Sequence, residues 1–185
     1  WNHQSIFPLP ICYSILTKQE NQFEKQGGIT MTRTEQLIAM ISENLDAKKI
    51  HYDFKDDAHR IITFTLRMKN KLDACQFILF TEDRGITVYG CSPVHAKSDC
   101  YANVTEYITR ANYGLRHGNF EFDHRDGEIR YKVYIPCKNN LPNSADIDNA
   151  ILVVGLMMER YGDGLLKNMM GIGHPEEDIR AIEGN

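Results

Sequence analysis

From Met31 onward the apolar positions change period in an order that outlines a fold. Leu37, Ile38, Ile41 and Leu45 recur at helical spacing after Thr32-x-x-Glu35, a capping-box pattern, so a helix is predicted over residues 33–48. His51 to Phe54 predicts a short strand. In residues 59–68, Ile62, Phe64, Leu66 and Met68 alternate with Ile61, Thr63, Thr65 and Arg67, the pattern of a half-buried strand. Residues 74–81 are apolar on both faces, as a central strand is, and Ile86 to Cys91 predicts another strand. The connections between these strands are short, which implies an antiparallel meander. A helix is predicted from about Asp99 to Leu115, with Val104, Tyr107, Ile108 and Ala111 on one side.

Gly118 to Pro136 carries two alternating runs around Asp126-Gly127, a strong two-residue turn signal. With that turn, Phe122 faces Tyr131 and Phe120 faces Val133. Asp123 then faces Arg130, and Glu121 faces Lys132. A polar loop follows, with Ser144 as the predicted N-cap of a long helix. Ile147, Ile151, Val154, Met158, Tyr161 and Leu165 repeat at alternating four and three, a narrow stripe. Such a stripe serves either the protein's own sheet or a helix–helix seam with a second copy. Gly162-Asp163-Gly164 is expected to fray or kink the helix, because glycine costs about 1 kcal/mol in a helix interior. The helix is expected to end by Gly171, and Pro175 with Glu176, Glu177 and Asp178 opens a last short helix. The fold class predicted is α+β: an antiparallel sheet made of a three-stranded meander plus a hairpin, packed with helices.

Residues 1–30 read differently. SIFPLPICYSIL is a short apolar hump without the basic start and small-residue cleavage site of a signal peptide, and TKQENQFEKQGG is polar. Gln26-Gly27-Gly28 can be encoded by a ribosome-binding sequence about seven nucleotides before Met31, so translated upstream sequence is expected. A floppy N-terminal arm is the alternative. Residues 31–185 are expected to form one domain.

The 185 residues carry a net charge of −4, with no excess of positive charge to favour nucleic acid or an anionic membrane. No apolar run approaches the roughly 20 residues of a spanning helix. The 5 cysteines are odd in number and none is paired as CxxC, which fits reduced thiols and a cytoplasmic location.

Little in the chain promises chemistry. Gly171-Ile172-Gly173-His174 follows a helix, whereas a phosphate cradle needs a strand before it. Cys91, His95, Asp99 and Cys100 match no familiar zinc spacing. His124 falls on the apolar face of the hairpin and reads as a packing histidine, as does His117. Cys137 has no histidine close in sequence to activate it. No serine lies in a GxSxG elbow. No cofactor is expected.

Tyr107 to Asn112, Gly118 to Phe122 and Asp126 to Tyr131, followed by the long helix over 144–170, resemble the YbjN family of small bacterial proteins. The similarity covers roughly Met31 to Gly171. It implies a fold like that of type III secretion chaperones, and a label of sensory-transduction regulator that names no chemistry. It implies no catalytic residues.

Three functions follow as expectations. The first is a non-enzymatic protein-binding module, chaperone-like or regulatory and homodimeric, with Tyr107, Ala111, Phe120, Phe122, Tyr131 and Val133 forming the contact. The second is a small-ligand sensor whose pocket between sheet and long helix uses Met157, Met158 and Met169. The third is an unrecognised enzyme.

Overall fold

The computed structural model describes residues 31–184. The chain divides into two units, Trp1–Thr30 and Met31–Asn185, and the expectation for the first thirty residues lies outside the described part. The second unit runs α1 (Arg33–Ala47), β1 (Asp53–Phe54), β2 (Ile61–Arg67), β3 (Ala74–Glu82), β4 (Gly85–Cys91), α2 (Tyr101–Asn112), β5 (Asn119–Phe122), β6 (Ile129–Pro136), α3 (Ser144–Met169) and α4 (Pro175–Glu183). A single 3-10 turn, Ser98–Cys100, leads into α2, so that helix begins later than its sequence pattern suggests. The Thr32/Glu35 capping box is present. The N-cap of α3 is Asn143 rather than Ser144, because Asn143 and Asp146 cap each other reciprocally.

The six strands form one antiparallel sheet in the order β1-β2-β3-β4-β6-β5. Strand β6 joins β4, so meander and hairpin share a single core, and the fold is α+β. Alternate residues of each strand face the helices. Ile62, Phe77, Leu79, Ile86, Val88 and Tyr131 are fully buried there.

Helix α3 packs on β4 and β6 and touches α1, α2 and α4. Its approach depends on missing side chains. A Cβ on Gly90 of β4 would lie 2.4 Å from Val154 Cγ1. Gly162-Asp163-Gly164 does not fray or break α3, which runs on for 26 residues. Those glycines are spaces for neighbours instead. A Cβ on Gly164 would lie 2.5 Å from the Tyr107 hydroxyl, which donates to the Tyr161 carbonyl at 2.7 Å. A Cβ on Gly162 would lie 2.2 Å from Asn70 Nδ2, which donates to the carbonyls of Met158 and Glu159 at 2.8 and 3.0 Å. The turn between β2 and β3 is thus clamped to α3. The Lys71 N–H donates to the Asp163 carboxylate at 2.7 Å and completes the clamp.

The hairpin register differs from the two-residue turn that Asp126-Gly127 suggests. Phe120 faces Tyr131, Glu121 faces Arg130, and Phe122 faces Ile129. Residues 123–128 form a wider loop, with the Asp123 N–H donating to the Glu128 carbonyl and the Gly127 N–H to the Asp123 carbonyl. Two interactions outweigh the tight turn. The Asp123 carboxylate accepts from the Arg125 N–H at 2.9 Å, and the Ala96 N–H donates to the Gly127 carbonyl at 2.9 Å. The shift is two residues, so every side chain keeps its face. Glu121 now pairs with Arg130 at 2.8 Å and is also reached by Lys132, while Asp123 pairs with Arg125. Gly127 takes φ +82°, and a Cβ there would lie 2.3 Å from the Ala96 carbonyl oxygen. Gly127→Ala is expected to destabilise the protein by about 1–3 kcal/mol through backbone strain and loss of the Ala96 contact. Urea unfolding measures it.

Candidate functional site: a groove between α3 and the end of β2

The six residues expected to form a protein contact lie together, but on the inside. Tyr107, Ala111, Phe120, Tyr131 and Val133 are buried, and Phe122 is half-buried. Phe120 packs edge-on against Tyr131 and Tyr161, and Phe122 against Tyr101. The narrow stripe of α3 does cover this row, because Gly164 lets Tyr107 approach. The row therefore belongs to the protein's own core, with Phe122 alone partly exposed.

An exposed apolar pair beside a groove lies on the other side of α3. Leu152 and Leu156 are 58% and 52% exposed. They border an open groove of about 680 Å³ between α3 and the end of β2. Ile151 forms one wall with them; Ile50, Leu66 and Met68 form the other. Gly155 lies between the two leucines on the same wall. A Cβ there would meet only Phe77 Cζ, at 3.6 Å, an ordinary contact. Gly155 is thus unlike Gly162 and Gly164: nothing in the protein's own packing needs it. A mid-helix glycine still costs about 1 kcal/mol relative to alanine, and its effect here is to leave space in the groove.

Charges mark both ends of the groove. At one end Lys48 and Asp148 pair at 2.7 Å, and Asn44 donates to Asp148 at 2.6 Å. The Lys48 ammonium holds the Asp148 carboxyl below its usual range and outweighs its burial, with the Asn44 hydrogen bond adding to the effect. At the other end the Glu159 carboxylate accepts the Lys69 N–H at 2.9–3.0 Å. Polar groups thus form the rim and apolar groups the interior.

The other candidate residues are scattered. Of the three methionines expected to line a pocket, Met158 and Met169 are fully buried, Met157 is half-buried, and none borders the groove. His95 contacts the Asp126 carbonyl oxygen, Cys100 donates to Asp99 at 3.5 Å, and Cys91 is buried at the end of β4. Burial pushes the thiols of Cys75 and Cys91 up to about 12. Among the described residues no group of three or more His, Cys, Asp or Glu is placed to hold a metal. His124 packs against Phe122 and Tyr101 and meets the Thr105 hydroxyl at 3.2 Å. Cys137 is buried, and burial raises its thiol. No helix among the described residues is long and apolar enough to cross a membrane.

The two faces of α3 differ in what they do for stability. Leu156→Gln should change the unfolding free energy by less than about 0.5 kcal/mol, as exposed substitutions do. Met158→Ala, two residues away, should cost about 2–5 kcal/mol through a core cavity. Denaturant titration of both variants distinguishes them.

Comparison with known proteins agrees with this architecture. A family profile described as YbjN, "Putative bacterial sensory transduction regulator", matches residues 37–167. No curated protein matches the chain. The chain is similar to a solved structure described as "Crystal structure of YbjN, a putative transcription regulator from E. coli". The TM-score is 0.54 at 8% identity, over 72% of this chain and 93% of that one, which speaks to the fold alone. The profile spans α1 to the last turn of α3, and therefore the whole sheet and the groove. The chain belongs to the YbjN family.

Proposed function

We propose that this protein is a non-enzymatic regulator that acts by protein contact, and that the groove between α3 and β2 is where the contact is made. The observation that carries this reading is the pair Leu152 and Leu156, more than half exposed beside an open apolar groove with a charged rim. A protein surface of this kind, apolar at the centre and polar at the edge, is what a partner buries. The groove is open along its length, and its charged groups stand at the two ends, with Lys48 and Asp148 engaged with each other. A small-molecule site needs polar groups converging on the ligand to fix its orientation. The groups with the most perturbed acidity, Cys75, Cys91 and Tyr107, are raised by burial and lie away from the groove, so an enzymatic reading finds no support in it. The family's description as a regulator is in keeping with a contact function and names no partner.

A photo-reactive amino acid placed at Leu152 in the full chain, and irradiated in living native cells, tests the proposal. A discrete protein adduct from position 152, and none from the exposed control position Tyr113, is expected. No adduct, or equal adducts from both positions, would overturn it.

A further inference from the structure

We infer that α4 is a detachable cover, and that the seam it fills between α2 and α3 is a docking site for a short acidic amphipathic helix, held here by the chain's own last helix. The inference goes beyond the groove contact, since none of the seam residues named below lines the groove.

Helix α4 lies along both of its neighbours. On α2, Asn103 donates to the Gly173 carbonyl at 3.5 Å, and Arg110 to the Glu176 carboxylate at 3.3 Å. On α3, Lys167 and Asn168 each donate to the Asp178 carboxylate at 3.0 Å, and Tyr161 donates to Glu183 at 3.0 Å. The seam thus offers cations and hydrogen-bond donors, and α4 brings the carboxylates. The apolar share of the contact is small. Within α4 only Ile179 is buried, and Ile182 is half-buried. Recognition therefore rests on a carboxylate with isoleucines one and four positions after it, all three on the side of α4 that meets the seam.

The joint between α4 and the helices beneath it is separable. Helix α3 closes its own end: Gly171 takes φ +74°, and the Ile172 N–H donates to the Lys167 carbonyl at 3.1 Å. Helix α4 closes its own start, with Asp178 accepting the His174 N–H at 2.9 Å. Neither helix needs the other to be capped. The family profile ends at Lys167, so it matches the sheet and α1 to α3 without α4. A helix of 9 residues is marginal alone, so α4 owes its order to the seam. Docking also leaves Asn168 Oδ1 buried and without a partner among the described residues. Water satisfies that oxygen once α4 lifts. The short tether from α3 keeps α4 at an effective concentration on the order of millimolar beside the seam. A partner's helix with the same carboxylate and isoleucine spacing enters only by outcompeting it, so α4 sets a threshold for that contact.

Two measurements on the full chain test this. In hydrogen exchange, α4 amides should exchange at least tenfold faster than the α3 amides beneath them, because α4 opens alone. In amide NMR spectra, Ile179→Asp should release α4 and move the signals of Asn103, Lys167 and Asn168 while the rest of the spectrum stays folded. An acetylated peptide of residues 171–184, added in trans, should return those signals to their wild-type positions. The same peptide carrying Asp178→Ala should need at least a tenfold higher concentration. The wild-type spectrum should not move, because its seam stays filled. Exchange of α4 in step with α3 overturns the inference, as do signals unmoved by Ile179→Asp. Loss of the folded spectrum on Ile179→Asp would make α4 part of the core and overturns it too. A peptide that returns no signals rejects the docking site, and a peptide indifferent to Asp178→Ala rejects recognition through the carboxylate.

Discussion

The close approach of α3 to the sheet and to its neighbours is the constraint on which the rest of this structure depends. The helix is long, and its inward stripe is narrow: Ile147, Ala150, Val154, Met158, Tyr161 and Leu165. A stripe that thin covers a six-stranded sheet only if the backbone comes very near. Gly90 lets Val154 down onto β4, Gly162 admits the β2–β3 turn, and Gly164 admits the Tyr107 ring. The two clamps then use the helix carbonyls as acceptors, through the Tyr107 hydroxyl and the Asn70 amide. Asn44 of α1 adds a third tie, donating to the Ser144 hydroxyl and to Asp148. Close packing of this kind is stringent, because added volume forces side chains off their rotamers.

The fold class, the element order and most element bounds were legible in the sequence, since they rest on period and capping. The Thr32/Glu35 box and the proline at the start of α4 are local signals that the tertiary structure does not override. The misreadings have a common source. Asp126-Gly127 predicts a tight turn from two residues, but the loop is set by the Asp123 carboxylate and by a contact with Ala96 some thirty positions away. Gly162 and Gly164 read as helix weaknesses because helix propensity is all that one segment reveals; the ring and the amide that fill their space come from α2 and the β2–β3 turn. The candidate site was the least legible part. Phe120, Tyr131 and Val133 read as contact residues, and their cover by the narrow helix became visible only with the depth of α3. Leu152, Gly155 and Leu156 were present as an apolar pair around a mid-helix glycine, a signal hidden beneath the stronger heptad-like stripe.

Membership of the YbjN family and the geometry of α3 make one functional picture. A single helix holds the domain together with one face and leaves the other free for contact. The inner face carries its glycines for the sake of neighbours within the chain. The outer face carries Gly155 for no such neighbour. A contact made at the groove would leave the core unchanged, because groove and core use different sides of the helix. The same division sets the burial-shifted Cys75, Cys91 and Tyr107 in the interior, while the groove is lined by apolar side chains between polar ends.

That division of labour within α3 is the central claim, and paired glycine substitutions read it most directly. Equilibrium urea unfolding of Gly155→Ala and Gly164→Ala compares two mid-helix glycines under identical helix propensity. Gly155→Ala should stabilise the protein by about 0.5–1 kcal/mol, the propensity gain alone. Gly164→Ala should destabilise it by about 1–3 kcal/mol, since its methyl group would overlap the Tyr107 ring. A loss at Gly155 as large as that at Gly164 would show that both glycines serve the protein's own packing, and would contradict the account.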